Sequence, residues 1–247
     1  MLEINKIYFE DCFEGMKRID DNSIDLIITS PPYFNARPEY AEWDSYEDYL
    51  SFLNNILQSC FMKLKSIGRI AINVPDGYGR NPWIPIYADT CKLMQNIGYI
   101  LRGSIVWNKQ NGGGKTSWGS WRSSSNPCLI DEHEMIIIAH KENPKLKIGT
   151  EIKKDLFLSL IHSVWNIKPE TKRKLGHPAP YPLELPIRII TFLSSENTII
   201  LDPFMGSGTT AIACINTNRN YIGFENNKEY FDIANKRISA HKKEPTP

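Results

Sequence analysis

Two polar loops constrain the fold more than any other feature of this sequence. Each follows a short apolar run, Ile24–Ile28 in one case and Thr198–Leu201 in the other, and both runs predict buried β-strands. The first loop reads Thr-Ser-Pro-Pro-Tyr (29–33), and the second reads Asp-Pro-Phe-Met-Gly-Ser-Gly-Thr-Thr (202–210). An apolar stretch follows from Ala211, so the glycines stand between a strand and a helix, where the backbone can approach a ligand closely.

Strand-like and helix-like runs alternate along most of the chain. This pattern indicates one α/β domain over residues 1–247, a doubly wound, mostly parallel sheet with helices on both faces. The 247 residues, 41% of them hydrophobic, are enough for one substantial core. We predict seven strands, at 4–9, 24–28, 69–74, 100–107, 134–139, 198–201 and 221–224. We predict helices at 46–65, 84–97, 183–193, 209–216 and 229–241.

Composition narrows the classes of function. The formal net charge is +1, so any contact with a polyanion must come from local clusters of positive charge. The five cysteines are odd in number and none pair at metal-ligand spacing, so we expect a reducing cytosol and no metal. No apolar stretch reaches the roughly 18 residues of a membrane span. Because the first residues, Met-Leu-Glu-Ile-Asn, also lack a basic signal-peptide start, we expect a cytoplasmic protein without a membrane partner.

The glycine-rich loop predicts a nucleotide-type site. Gly206 and Gly208 permit a tight turn, while Thr209 and Thr210 offer hydroxyls and amides to a carboxylate. A phosphate-binding P-loop is disfavoured because no lysine follows the last glycine. Glu225 ends the next strand, at a position where ribose hydroxyls are held in doubly wound folds.

Both loops are similar to the two signature motifs of the amino-methyltransferases that modify exocyclic nitrogens of DNA bases. Their order, with the Thr-Ser-Pro-Pro-Tyr loop first, resembles the circularly permuted β-class, and the motifs are closest to its cytosine-N4 group. Residues 8–12 (Tyr-Phe-Glu-Asp-Cys) and 177–182 (His-Pro-Ala-Pro-Tyr-Pro) resemble further motifs of the family. The resemblance implies a Rossmann-like, permuted seven-stranded fold that uses S-adenosylmethionine. It also implies that the strands before Thr29 and Asp202 are neighbours at the switch point of the sheet.

The resemblance and the loop together predict which residues hold the cofactor. Asp11 would accept a hydrogen bond from the amino group of the adenine, Glu225 would hold the ribose, and the glycine-rich loop would surround the methionine moiety. The full set is Asp11, Cys12, Thr29, His177, Asp202, Pro203, Phe204, Gly206, Ser207, Gly208, Thr209, Thr210, Glu225 and Asn226.

The Thr-Ser-Pro-Pro-Tyr loop suggests how an exocyclic amino group is activated. Its nitrogen is a poor nucleophile because the lone pair is delocalised into the base, and two acceptors aimed at its hydrogens would free that lone pair. Ser30 Oγ and the Pro31 carbonyl are suitable acceptors, and Pro31 and Pro32 fix φ without adding amide donors. Tyr33 would stack on the base, which must first be flipped out of the duplex. Catalysis then depends on positioning and hydrogen bonds, without a covalent protein intermediate.

The choice of target base depends on Ser30. Relatives with Asp or Asn at this position mostly methylate adenine N6 and those with Ser mostly cytosine N4, so we expect a cytosine-N4 enzyme, with adenine N6 as the alternative.

An RNA or protein-amide methyltransferase is a more distant alternative, because those relatives typically carry Asn at the position of Ser30. Two intact loops disfavour an inactive DNA-binding subunit. Cys128 stands in the wrong place to be the nucleophile of a cytosine-C5 enzyme.

Residues 108–126 and 141–170 have no clear counterpart in the family. We predict that 108–126 and 141–176 are DNA-recognition insertions, because the first has three cations and no acid and the second has nine Lys or Arg against four Asp or Glu. The candidate DNA-binding residues are Lys115, Trp118, Trp121, Arg122, Lys172, Arg173 and Lys174. Double-stranded DNA is the expected partner, and a homodimer and a separately encoded restriction endonuclease are further candidates.

Overall fold

A single sheet organises the computed structural model, which describes residues 2–35, 42–79, 82–110, 119–142, 152–170 and 182–241. Its strands are β1 (Lys6–Phe9), β2 (Ile24–Thr29), β3 (Leu64–Val74), β4 (Ile100–Asn108), β5 (His133–His140), β6 (Val164–Asn166), β7 (Ile199–Asp202) and β8 (Asn220–Glu225). Its helices are α1 (Cys12–Lys17), α2 (Tyr46–Lys63), α3 (Ile86–Ile97), α4 (Lys154–Leu160), α5 (Glu184–Leu193), α6 (Thr209–Asn216) and α7 (Lys228–His241).

The strands lie in the order β1-β8-β7-β2-β3-β5-β4-β6. The first five run parallel, β5 is antiparallel to both β3 and β4, and β6 is parallel to β4. The predicted adjacency of β2 and β7 is confirmed, because Leu26 pairs with Ile200 and Ile27 with Leu201. The described sheet has eight strands rather than the predicted seven, since β6 is only three residues long and too short to produce a periodic pattern.

Local signals explain the helix boundaries that the sequence pattern placed differently. α1 was not predicted, and its N-cap is Asp11, whose carboxylate accepts a hydrogen bond from the Phe13 amide at 2.8 Å. α2 ends at Lys63 rather than residue 65 because Leu64 is already extended, with ψ of 135°, and starts β3. α4 and β6 both lie within 141–176, and their Leu160 and Trp165 side chains are buried. These two side chains pack the described part of the segment into the core, and its role in DNA recognition stays a prediction.

Each face of the sheet carries its own hydrophobic core, because successive side chains of a strand point to opposite faces. On one face α1, α2 and α3 contribute buried side chains such as Met16, Tyr49 and Met94. On the other face α5, α6 and α7 contribute Ile190, Ala213 and others. Among the described helices, none combines the length and apolar character that a membrane span requires.

Strand direction brings the carboxyl ends of seven of the eight described strands to one edge of the sheet. The parallel strands β1, β2, β3, β7 and β8 end there, as do β4 and β6, and the antiparallel β5 begins there, with Met135 opposite Val74. The residues after β2 and β7, which form the two polar loops, therefore lie side by side at this edge. Open α/β sheets bind their ligands at such a position.

Candidate active site

Buried side-chain hydrogen bonds hold the glycine-rich loop in place. Asp202 is 1% exposed, and its carboxylate accepts from the Phe204 amide at 3.1 Å and from the Thr210 hydroxyl at 2.5 Å. The Thr210 hydroxyl, which the sequence offered to a ligand carboxylate, is therefore engaged inside the loop. The amides at the start of α6 remain the donors that this loop presents to an anion.

Two glycines give the loop its shape. Gly206 and Gly208 have φ of +54° and +79°, in the left-handed region that glycine adopts without strain. A Cβ on Gly208 would lie 3.0 Å from the Cβ of Ala234 in α7, so a helix packs tightly against this point. Only a residue without a side chain combines this backbone conformation with such a close approach.

Glu225 fastens the loop to the end of β8. Its carboxylate accepts from the Gly206 amide and from the Asn227 amide, each at 2.8 Å. Burial raises the pKa of this carboxyl, and the backbone hydrogen bonds oppose the rise. Each carboxylate oxygen keeps a further lone pair, so Glu225 can hold the loop and still accept from a ribose hydroxyl.

Arg237 of α7 is a further contact to the loop, and the sequence analysis did not identify it. Its guanidinium donates to the Ser207 carbonyl, to Ser207 Oγ at 2.9 Å and to Thr209 Oγ1 at 3.3 Å. A lone arginine on an otherwise ordinary amphipathic helix carries no sequence signal of this role. It becomes visible only when α7 is seen packed over the loop.

The two ends of the chain meet beside this loop. Phe9 pairs with Glu225 in the sheet, and the Glu10 amide donates to the Glu225 carbonyl at 3.2 Å, so Asp11 lies directly after a neighbouring strand. The Asp11 carboxylate caps α1. Burial, followed by the charge of Asp11, raises the pKa of the Cys12 thiol to about 12, so this cysteine stays a neutral packing residue.

The Thr-Ser-Pro-Pro-Tyr loop is held by a polar network that the sequence did not reveal. Ser30 Oγ lies 3.0 Å from the Tyr33 hydroxyl, which lies 2.9 Å from Glu134 Oε2. Asn73 Nδ2 lies 2.6 Å from the same Glu134 oxygen and 2.7 Å from the Tyr33 hydroxyl, and Lys109 forms an ion pair with the other oxygen of Glu134. Burial and the Glu134 charge hold the pKa of Tyr33 well above its usual range. The phenol is therefore a neutral donor.

Two buried polar atoms near this network have no hydrogen-bond partner among the described residues. They are Thr29 Oγ1 and Asn73 Oδ1, and both residues line one small pocket between the sheet and α5, with Leu185 and Pro186. Unpaired buried polar atoms are costly, so a polar partner at this point would stabilise the site. Together with the glycine-rich loop and the carboxylates of Asp11 and Glu225, these atoms fit a ligand that carries an anion, hydroxyls and amine donors, as S-adenosylmethionine does.

Comparison with known proteins agrees with this geometry. Residues 24–236 match the family described as DNA methylase (N6_N4_Mtase). The chain belongs to this N6/N4 DNA methylase family. Membership confirms that it is a DNA methyltransferase and that its methyl donor is S-adenosylmethionine. The permuted order, the cytosine-N4 specificity and the individual site residues stay predictions.

Relatives and solved structures cover most of this N6/N4 DNA methylase. The type II methyltransferase M.MjaVI of Methanocaldococcus jannaschii is 35% identical over 162 residues, which is 64% of this chain and 83% of the relative. The structure of TTHA0409 from Thermus thermophilus complexed with S-adenosyl-L-methionine has a TM-score of 0.77 at 24% identity, over 95% of each chain. The structure of the PvuII DNA methyltransferase, which is cytosine-N4-specific, has a TM-score of 0.75 at 22% identity, over 94% of this chain and 86% of its own.

Several predicted site residues lie outside the described part of this methylase, and two others are exposed to solvent. His177, Lys115, Trp118 and the three cations at 172–174 lie outside the described residues. Trp121 is 66% exposed and Arg122 is exposed. Within the described ranges, no group of three or more His, Cys, Asp or Glu side chains is placed to hold a metal ion.

Proposed function

We propose that this N6/N4 DNA methylase transfers a methyl group from S-adenosylmethionine to the exocyclic N4 of cytosine in duplex DNA, after flipping the base. The observation that carries the proposal is the position of Ser30: it directly follows β2, beside the glycine-rich loop that follows β7. The type II name of M.MjaVI and the cytosine-N4 specificity of the PvuII enzyme support a modification enzyme of this kind. The order of its motifs supports a circularly permuted β-class enzyme.

The residues of the Thr-Ser-Pro-Pro-Tyr loop have distinct tasks in this proposal. Ser30 Oγ and the Pro31 carbonyl accept hydrogen bonds from the target amino group, which directs the lone pair of its nitrogen towards the methyl donor. Pro31 is buried and Pro32 has no amide hydrogen, so the loop keeps one shape when a base enters. Tyr33 gives the flipped base an aromatic face. S-adenosylmethionine, when bound, supplies the methyl group on a sulfonium.

The glycine-rich loop and the ends of β1 and β8 hold the cofactor in this proposal. Asp11 and Cys12 lie near the adenine, and Glu225 and Asn226 lie near the ribose. The methionine moiety is surrounded by Asp202, Pro203, Phe204, Gly206, Ser207, Gly208, Thr209 and Thr210. Thr29 and His177 are further proposed cofactor-binding residues. The two orphaned atoms of Thr29 and Asn73 support a polar ligand beside this set.

Incorporation of labelled methyl groups tests the proposed reaction. The protein is incubated with tritiated S-adenosylmethionine and, in parallel, with duplex DNA, RNA and protein, and the DNA is then digested to nucleosides for mass spectrometry. We expect label in DNA as N4-methylcytosine, and incorporation roughly 100-fold slower with Ser30→Ala. Label as N6-methyladenine would replace the proposed base with the alternative. Label only in RNA or protein would contradict the DNA substrate.

We also propose that the segments 108–126 and 141–176 contact DNA. Replacing the three cations at 172–174 (Lys172→Gln, Arg173→Gln, Lys174→Gln) should weaken DNA binding and flatten its dependence on salt, because each phosphate contact releases counterions. Lys17→Gln, at an exposed site of α1, is the control. An unchanged salt slope would mean that recognition depends on other residues, first those at 35–44.

Partners and location remain proposals as well. A separately encoded restriction endonuclease is a candidate partner, and a homodimer is a candidate assembly. The cytoplasmic location and the absence of a membrane partner stay predictions.

A further inference from the structure

A chain of polar side chains lies behind the Thr-Ser-Pro-Pro-Tyr loop. It consists of Ser30 and Tyr33 of the loop, Asn73 of β3, Glu134 of β5 and Lys109 after β4, and it is called the Ser30 relay below. Glu134 and Lys109 are mostly shielded from solvent, with 12% and 22% of their side chains exposed. Shielding an ion pair from water in this way costs desolvation energy, so packing alone is a weak explanation for the pair.

The proton positions in the relay follow from which groups can only donate or only accept. The Glu134 carboxylate is an acceptor, and Lys109 donates to one of its oxygens. The other oxygen lies 2.6 Å from Asn73 Nδ2, so the amide nitrogen must face it, because the amide oxygen would be repelled there. The same nitrogen lies 2.7 Å from the Tyr33 oxygen and 3.4 Å from Ser30 Oγ, so its second hydrogen is directed mainly to Tyr33.

The Tyr33 hydroxyl has one hydrogen and two nearby acceptors. Glu134 Oε2 lies at 2.9 Å and Ser30 Oγ at 3.0 Å. A charged acceptor makes the stronger bond, so Tyr33 donates to Glu134. The Tyr33 oxygen then accepts from Asn73 and has one lone pair left. The Ser30 hydroxyl occupies it by donating its own hydrogen.

We propose that Glu134, acting through Tyr33, is a positioning residue that turns the hydrogen of Ser30 inwards, so that Ser30 Oγ presents only lone pairs to the target base. This inference rests on the proposed function of the same site. It predicts which bases the site binds: a base with an amino group at the target position binds, because that group donates to Ser30 Oγ. A position bearing a carbonyl, as in uracil or thymine, is refused because acceptor would face acceptor. Asn73 and Lys109 hold the carboxylate in the orientation that this rule needs.

The substitution Glu134→Gln removes the charged acceptor of the relay with little change in shape. Lys109 requires an acceptor, so the new amide turns its oxygen to Lys109 and its NH2 group to Tyr33 and Asn73, and the Asn73 amide turns over to present its oxygen. Tyr33 then has no charged acceptor and can donate to Asn73 or to Ser30, so the hydrogen of Ser30 is no longer held inwards. Glu132→Gln, two residues earlier and exposed, is the matched control.

Rates and base preference are the measurements. Sequencing DNA from expressing cells by a method sensitive to modified bases first gives the recognition sequence. Single-turnover methylation is then measured with that duplex, and binding is compared for duplexes with cytosine or uracil at the target position. Comparing variants on the same two duplexes cancels the energy of the G·U mismatch. Calorimetry with S-adenosylhomocysteine reports the cofactor site.

For Glu134→Gln we expect the rate to fall roughly 100-fold, the typical cost of one misdirected hydrogen bond to the reacting group. The preference for cytosine over uracil should shift towards uracil, and affinity for S-adenosylhomocysteine should stay within about twofold. Glu132→Gln should match the wild type. In a Tyr33→Phe background, where the relay is already cut, Glu134→Gln should add no further loss, whereas independent structural damage would add to it.

The outcomes separate this inference from the proposed function. A wild-type protein that methylates no DNA amino group overturns the proposed function. An active wild type together with a Glu134→Gln variant of equal rate and unchanged cytosine preference overturns the relay alone. If Glu134→Gln does not fold, Tyr33→Phe takes its place: it removes the partner of the Ser30 hydrogen, and an unchanged cytosine-to-uracil preference there overturns the relay as well.

Discussion

Arg237 gives the most specific prediction about the glycine-rich loop. We expect Arg237→Met, which keeps an unbranched apolar stem and removes the hydrogen-bond donors, to weaken both the loop and its binding of S-adenosylhomocysteine. Ser207 and Thr209 are buried, so in this variant the Ser207 carbonyl loses a partner that water cannot easily replace.

The magnitude follows from the geometry. All three acceptors face one guanidinium nitrogen, which carries two hydrogens, so the contacts amount to about two hydrogen bonds. A single hydrogen bond to a charged group contributes about 1.5–3 kcal/mol, and Arg237 is half-buried, so we expect a loss of about 2 kcal/mol. For a chain of this size, that loss lowers Tm by about 4–8 °C. If about two thirds of this free-energy loss applies to the complex with S-adenosylhomocysteine, the Kd for that ligand rises roughly tenfold.

Calorimetric titration with S-adenosylhomocysteine and thermal unfolding check this prediction. Lys236→Met, at the exposed neighbouring position of α7, controls for the change in helix surface. Arg237→Lys retains a charged donor and should recover part of the loss. A Kd for Arg237→Met equal to that of the wild type would refute the idea that α7 orders the loop.

Three further predictions concern the two polar loops. Ser30→Ala should lower turnover by roughly 100-fold or more while Kd for S-adenosylhomocysteine stays within a few-fold; unchanged turnover would remove Ser30 from the reaction. Asp11→Ala and Glu225→Ala should each raise that Kd in calorimetry, and normal affinity in both would contradict a cofactor site built from both ends of the chain. Gly208→Ala should cost about 1–2 kcal/mol in denaturant unfolding, because its φ is +79° and its Cβ would crowd Ala234; an unchanged midpoint would contradict this.

The sequence predicted those features that a contiguous stretch of residues encodes. Adjacent residues encode the strand, glycine turn and helix around 199–216, and the same is true of the Thr-Ser-Pro-Pro-Tyr loop after β2. The neighbouring position of β2 and β7 followed from the resemblance to a known family, not from periodicity. α1 was missed because it is six residues long, and its start depends on the Asp11 cap rather than on a hydrophobic period.

The missed site residues depend on pairing between distant strands. Asn73 and Glu134 approach each other only because β3 and β5 run antiparallel, with Val74 opposite Met135. A shift of one residue in this register would place the two side chains on opposite faces of the sheet. A single sequence does not specify such a register, so neither residue stood out among the polar positions of its strand. Arg237 was missed for the same reason, since it acts through helix packing.

Two separate sets of side chains hold the two polar loops of the site, one set on either side of β2. Arg237 and Glu225 hold the glycine-rich loop through Ser207 and Gly206, whereas Glu134 and Asn73 hold the loop that contains Ser30 through Tyr33. Independent supports should give additive effects. Arg237→Met should therefore act on Kd for S-adenosylhomocysteine, and Glu134→Gln should act on the rate of methylation at saturating cofactor. The double variant should show the Kd of Arg237→Met together with the methylation rate of Glu134→Gln. A marked departure from either value would mean that the two loops move as one unit.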